Sequence, residues 1–126
     1  MRLPAILAAL ALSALVPAAL AAHVQLTAST PAAGSEVKAP RTITLTFSQP
    51  VDPASAAATI VMTAMPGMDN HGEMPIRNFT PSWSADSQTL TLTLRKPLPA
   101  GSYDIRWQAA AADGHPMKGT LSFEVR

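Results

Sequence analysis

The sequence predicts an all-β fold: a small antiparallel β-sandwich or barrel of about seven strands, of the immunoglobulin-like or cupredoxin-like kind. Three observations predict it. Apolar residues recur with period two along most of the chain, as in "TITLTFS" and "TLTLTL". Turn-rich segments containing Pro and Gly punctuate those runs at short intervals. No stretch after the N-terminus carries a sustained helical pattern.

The first 22 residues stand apart from this pattern. Arg2 supplies a positive start, "ILAALALSALV" an apolar run of eleven residues, and "PAALAA" small residues for cleavage. This is the form of a secretory signal peptide, too short for a permanent membrane span. The expected organisation is therefore a cleaved leader, 1–22, and one domain, 23–126, exported to the periplasm and soluble after cleavage. Cleavage after Ala21 leaves Ala22 at the new terminus, and cleavage after Ala22 leaves His23 there.

The elements follow in order. "HVQLTAST" is a less regular first strand. "TITLTFS" turns Ile43, Leu45 and Phe47 to one face and threonines to the other, and "ATIVMTA" is a further strand. "TLTLTL" points Leu90, Leu92 and Leu94 inward; "YDIRWQA" does so with Tyr103, Ile105 and Trp107, and "TLSFEVR" with Leu121, Phe123 and Val125. Between them, "TPAAGSEVKAP", "SQPVDPAS", "KPLPAGS" and "AADGHPMKG" read as turns, because Pro fixes φ and Gly accepts positive φ. The expected core is small and mainly aliphatic, with Trp83 and Trp107.

Composition narrows the function. Without the leader, basic and acidic side chains balance. No basic patch for nucleic acid and no polybasic membrane anchor is present. The chain has no cysteine, so the domain rests on its core alone and any soft metal ligand must be a methionine. No nucleophile with a supporting catalytic pattern and no phosphate-cradling glycine loop is found.

Two clusters carry chemistry. "MTAMPGMDNHGEM" gathers Met62, Met65, Met68 and Met74, four of the chain's six methionines, with His71 among them. Methionine at i, i+3, i+6 ordinarily marks a buried helix face. Pro66-Gly67 removes that reading, since Pro costs about 3 kcal/mol inside a helix and Gly about 1 more. Met65-Pro66-Gly67-Met68 instead fits a type II turn, with Pro at i+1 and Gly at i+2, whose corner Cα atoms stand within about 7 Å. Large apolar side chains in a loop need a reason. Thioether sulfur is soft and neutral and prefers Cu(I) to Zn(II), Ca(II) or Mg(II). In "AADGHPMKG", Asp113 and His115 flank a turn glycine, which alone is ordinary turn chemistry. If His23 is the mature terminus, its amine and ring Nδ1 can chelate one metal. With His115 and Asp113 they form the N₃O set that Cu(II) prefers.

Taken with their flanks, these segments resemble the periplasmic copper-resistance family CopC/PcoC over essentially the whole mature chain. His23 near "LTASTPAAGSEV", "ITLTFSQPV", "IVMTAMPGM" and "YDIRWQAAAADGHPMKGTLSFEV" carry the resemblance. It implies a Greek-key β-sandwich that carries copper. It assigns Cu(II) to His23, Asp113 and His115, and Cu(I) to Met62, Met65, Met68, His71 and Met74 at the other end of the sandwich. After Met68, "DNHGEM" is one residue longer than the family pattern. Met62, at a strand end, is a core candidate as well as a ligand candidate. The implied partner is a CopD-like inner-membrane copper-transport protein or another periplasmic copper protein, and the protein is expected to be a monomer. The expected role is a carrier or sequestering protein, not an enzyme. The alternative is an oxidative enzyme with a copper histidine brace, against which Asp113 counts, because it occupies the position oxygen needs.

Overall fold

Alternation of apolar and polar residues at period two leaves each strand one face to bury, and two sheets facing one another satisfy all of them. The computed structural model describes residues 23–68 and 72–126. The expected leader and His71 lie outside the described residues. Among the described residues, nine strands appear in chain order: β1 Leu26–Thr30, β2 Glu36–Val37, β3 Thr42–Phe47, β4 Ala57–Ala64, β5 Met74–Ile76, β6 Phe79–Trp83, β7 Thr89–Leu94, β8 Gly101–Ala110 and β9 Pro116–Val125. One sheet has the order β1-β3-β7-β6 and the other β2-β9-β8-β4-β5. The sheets remain separate, so the fold is an open sandwich and not a closed barrel. All pairings are antiparallel except the short β2–β9 contact, which is parallel.

Inward positions match the sequence pattern. Ile43, Leu45, Leu92 and Ile105 are fully buried, with Leu90, Leu94, Leu121, Phe123 and Val125 beside them. Burying each such side chain contributes about 1.5–3 kcal/mol. Trp83 and Trp107 differ from expectation: both are only half-buried and lean on the core edge against Phe47, with ring centroids 6.0 and 5.2 Å from it. The central aromatic pair is instead Tyr103 stacked on Phe123 at 5.7 Å. The first strand begins at Leu26, later than "HVQLTAST" suggests, and a bulge between Leu26 and Ala28 shifts the β1–β3 register.

Tyr103 yields a test of this packing. Its ring is fully buried, and its hydroxyl donates to the Pro99 carbonyl at 2.6 Å. Burial pushes the phenol up to about 12. The unfolded phenol ionises near pH 10, so the buried neutral phenol supports the fold fully below that pH. Its contribution is lost as pH rises from about 10 towards 12. Tyr103 is the chain's one tyrosine, so tyrosinate absorbance follows it alone. The folded protein should show no tyrosinate near pH 10, and Tyr103→Phe should flatten the alkaline fall in urea-unfolding stability. Titration at the ordinary phenol value in the folded state would contradict this packing.

Candidate functional site

The longest strands place two chemically distinct ends. β8 pairs with β4 from Ala57↔Gln108 to Ala64↔Ser102, and with β9 from Ala110↔Pro116 to Gly101↔Val125. The Asp-Gly-His turn therefore follows one end of β8, and the methionine turn lies at its other end. Ten extended residues separate the two by roughly 30 Å at about 3.3 Å each.

At the first end, Val24 is 1% exposed and plugs the core, which fixes the lead-in to β1. Gln25 locks this lead-in to the end of β3: its carbonyl accepts from the Ser48 N–H at 2.8 Å, and its N–H donates to Ser48 Oγ at 2.9 Å. The neighbouring chain is held equally well. A 3-10 turn, Pro53–Ser55, is capped by Asp52, whose Oδ1 accepts from the Ala54 N–H. The Asp52 N–H donates to the Ala110 carbonyl, and the Ala110 N–H to Ser55 Oγ, so the end of β8 is clamped from both directions.

The β8–β9 connection leaves this clamp as a tight turn. The Gly114 N–H donates to the Ala111 carbonyl at 2.9 Å, and Gly114 takes φ +77°, which only glycine adopts without strain. Asp113 Oδ1 accepts from the His115 N–H at 3.1 Å, and its Oδ2 lies 3.6 Å from His115 Nδ1. The carboxylate thus shapes the loop and faces the imidazole. His23, from the far side of the sequence, brings its ring to 5.6 Å from that of His115. One ligand atom each of His23, Asp113 and His115 lies within 4.8 Å of the others. Among the described residues, the buried His23 Nδ1 has no hydrogen-bond partner. A buried unpaired ring nitrogen costs free energy unless a ligand satisfies it, and a metal accepting its lone pair would do so. Two imidazoles and a carboxylate suit a borderline transition-metal ion.

At the second end, the turn at Met65–Met68 forms as the sequence predicts. The Met68 N–H donates to the Met65 carbonyl at 3.1 Å, and Gly67 takes φ +76°. With Pro at the preceding position these are the marks of a type II turn. Met65 and Met68 face each other as an isolated antiparallel bridge. Met65 packs partly on the core, whereas Met68 is 51% and Met74 43% exposed. Gly101 admits the turn, because a Cβ there would stand 2.6 Å from the Ala64 carbonyl oxygen. Met62 is 2% exposed and belongs to the core. Its strand pairs it directly with Met74, which lies on the edge strand β5. His71 lies outside the described residues.

Sequence reasoning missed one polar group near this loop, the Glu73–Arg106 pair. The available signal was weak: Arg106 occupies an outward position of β8, and its partner lies 33 residues away.

The fold and the first cluster define a small β-sandwich that gathers two imidazoles and a carboxylate, donors that could hold a metal ion, at one end. The chain belongs to the CopC family: the CopC domain model matches residues 26–126, beginning just after His23. Copper resistance protein C of Pseudomonas syringae pv. tomato is 42% identical over 112 residues, covering 89% of this chain and 87% of that protein. Copper resistance protein C of Escherichia coli is 39% identical over 106 residues, covering 83% and 82%. The crystal structure of PcoC, a methionine-rich copper resistance protein from Escherichia coli, superposes with a TM-score of 0.75 at 36% identity, covering 83% of this chain and 100% of that one. The protein is therefore a copper-resistance protein of the CopC family.

Proposed function

We propose that the protein is a periplasmic copper carrier or sequestering protein that holds Cu(II) and Cu(I) at separate sites and passes copper to an inner-membrane transport partner. Cu(II) is the cargo of His23, Asp113 and His115. The observation that carries this reading is the convergence of those three residues within 4.8 Å from distant parts of the sequence. Removal of residues 1–22 as a leader would give His23 a free amine, which completes a chelate with its own ring. Cu(I) is the cargo of the methionine turn, with Met65 and Met68 as its centre and Met74 and His71 as further donors. Met62 is left out of this set, since ligation would require its side chain to leave the core.

The reading is of a carrier and not an enzyme. A carboxylate beside two imidazoles occupies a coordination position that an oxygen-activating copper centre keeps open. The relatives named as copper resistance proteins point the same way. Equilibrium titration tests the proposal: the exported protein should bind one equivalent of Cu(II) in air and one of Cu(I) under reductant. Loading one form should leave the affinity for the other unchanged, because sites this far apart with no shared partner act independently. A single equivalent shared between the two forms would overturn the two-site reading.

A further inference from the structure

Glu73 is the residue immediately before β5, and its carboxylate receives both arms of the Arg106 guanidinium. Arg106 Nη1–H donates to Oε2 at 3.0 Å and Nη2–H to Oε1 at 2.6 Å. Arg106 is itself steadied from the sheet. Its Nη2 lies 3.5 Å from Asp104 Oδ2, and Asp104 Oδ1 accepts from the Ser122 hydroxyl at 2.6 Å. A continuous row of contacts thus runs from β9 over β8 to the return limb of the methionine loop. The hydrogen bond from Arg106 holds the Glu73 carboxyl below its usual range, and the hydrogen bond to Glu73 raises Arg106 in turn.

The two limbs of the loop are held very differently. The entry limb continues β4 and closes on itself through the Met68–Met65 hydrogen bond. The return limb is a three-residue edge strand, paired with β4 from Met62↔Met74 to Ile60↔Ile76. Backbone pairing alone therefore holds Met74 loosely. The fork of an arginine matches a carboxylate in two places and fixes direction as well as distance, which a lysine ammonium does not.

We propose that the Glu73–Arg106 pair is a positioning device for Cu(I) binding: it fixes the return limb, and Met74 with it, relative to the Met65–Met68 turn, so that the thioethers are gathered before the metal arrives. The inference rests on the reading of this loop as the Cu(I) site. Pre-organisation raises affinity by removing the ordering cost from the binding step. The pair is solvent-exposed, so the gain is modest and sensitive to salt.

The test compares the exported wild-type protein with Arg106→Gln, Glu73→Gln, the double variant and Arg106→Lys. Cu(I) dissociation constants are measured against a chromogenic Cu(I) chelator at low and high salt. Each single Gln variant should bind Cu(I) about two- to fivefold more weakly. The double variant should lose no more than the weaker single one, because the two residues act as one contact. Arg106→Lys should recover only part of the affinity. High salt should bring the wild type towards the variants, while Cu(II) affinity and the thermal midpoint stay at wild-type values. Unchanged Cu(I) affinity in the single variants, additive losses in the double, or parallel loss of Cu(II) overturns the inference. A wild type that binds no Cu(I) overturns the loop's assignment together with the inference. A wild type that binds Cu(I) as tightly as the variants removes the positioning role alone.

Discussion

His115→Ala should lower Cu(II) affinity by more than about 100-fold while leaving the fold and the Cu(I) site intact. The estimate is a floor. Replacing a group one shell away from a metal typically costs 10–100-fold, and His115 would be a direct ligand in the proposed site, where its ligand atom lies within 4.8 Å of those of His23 and Asp113. Its side chain is 70% exposed, so its loss removes little packing, and substitutions at such positions usually stay within about 0.5 kcal/mol in stability. Weakened binding therefore reports on coordination and not on unfolding. A companion variant retaining Ala22 ahead of His23 should also bind Cu(II) much more weakly, because the chelating amine becomes a peptide nitrogen. Intact mass establishes the first residue of each sample. Competition against a Cu(II) chelator, with the visible copper band as a second readout, gives the affinities. If His115→Ala kept Cu(II) affinity within threefold of wild type, the cluster would be a turn with two incidental histidines.

Much of this architecture was legible in the sequence because period-two alternation is a local signal. Ile43, Leu45 and Phe47, or Leu90, Leu92 and Leu94, declare their face within six residues. The strands that escaped notice are those where local signals conflict with pairing. Pro75 sits inside β5 and Pro81 inside β6, and proline ordinarily argues against a strand. Among the described residues both are edge strands, β5 pairing with β4 and β6 with β7, so each proline needs no second ladder. The two-residue β2 has no periodicity to read. Trp83 and Trp107 illustrate another limit. Alternation places Trp107 on the inward face but does not say how near the sheet rim it falls, Trp83 had no strand pattern to read, and both rest at the edge against Phe47.

The two candidate sites differ in legibility for the same reason. The methionine turn is contiguous, and Pro66-Gly67 encodes its own geometry through fixed and positive φ. The convergence of His23 with Asp113 and His115 is tertiary. It depends on Val24 plugging the core, on the Gln25–Ser48 hydrogen bonds, and on Ala110 being clamped by the Pro53–Ser55 turn. No spacing rule joins those segments, so resemblance to a family supplied what periodicity could not. Glu73–Arg106 had neither support, since it joins a loop residue to an outward strand position.

Replacing Met65 and Met68 together by Leu should abolish measurable Cu(I) binding and leave Cu(II) binding unchanged. Leucine keeps the apolar bulk that rests on the core at Met65 and on the surface at Met68, so stability should change by less than about 1.5 kcal/mol. Only the sulfur is removed, and with it the soft donor that selects Cu(I). Met62→Leu is the informative contrast. Its side chain is 2% exposed inside the core, so the same chemical change there should alter the unfolding midpoint slightly and Cu(I) affinity not at all. A Cu(I) loss in Met62→Leu equal to that of the turn variant would mean that Met62 leaves the core to coordinate. The strand would then open one register at its end, and Met62↔Met74, adjacent across β4 and β5, would become the thioether pair that matters. Cu(I) titrations of the three proteins, with urea unfolding of each, separate a site built on the turn from one built on the strand end.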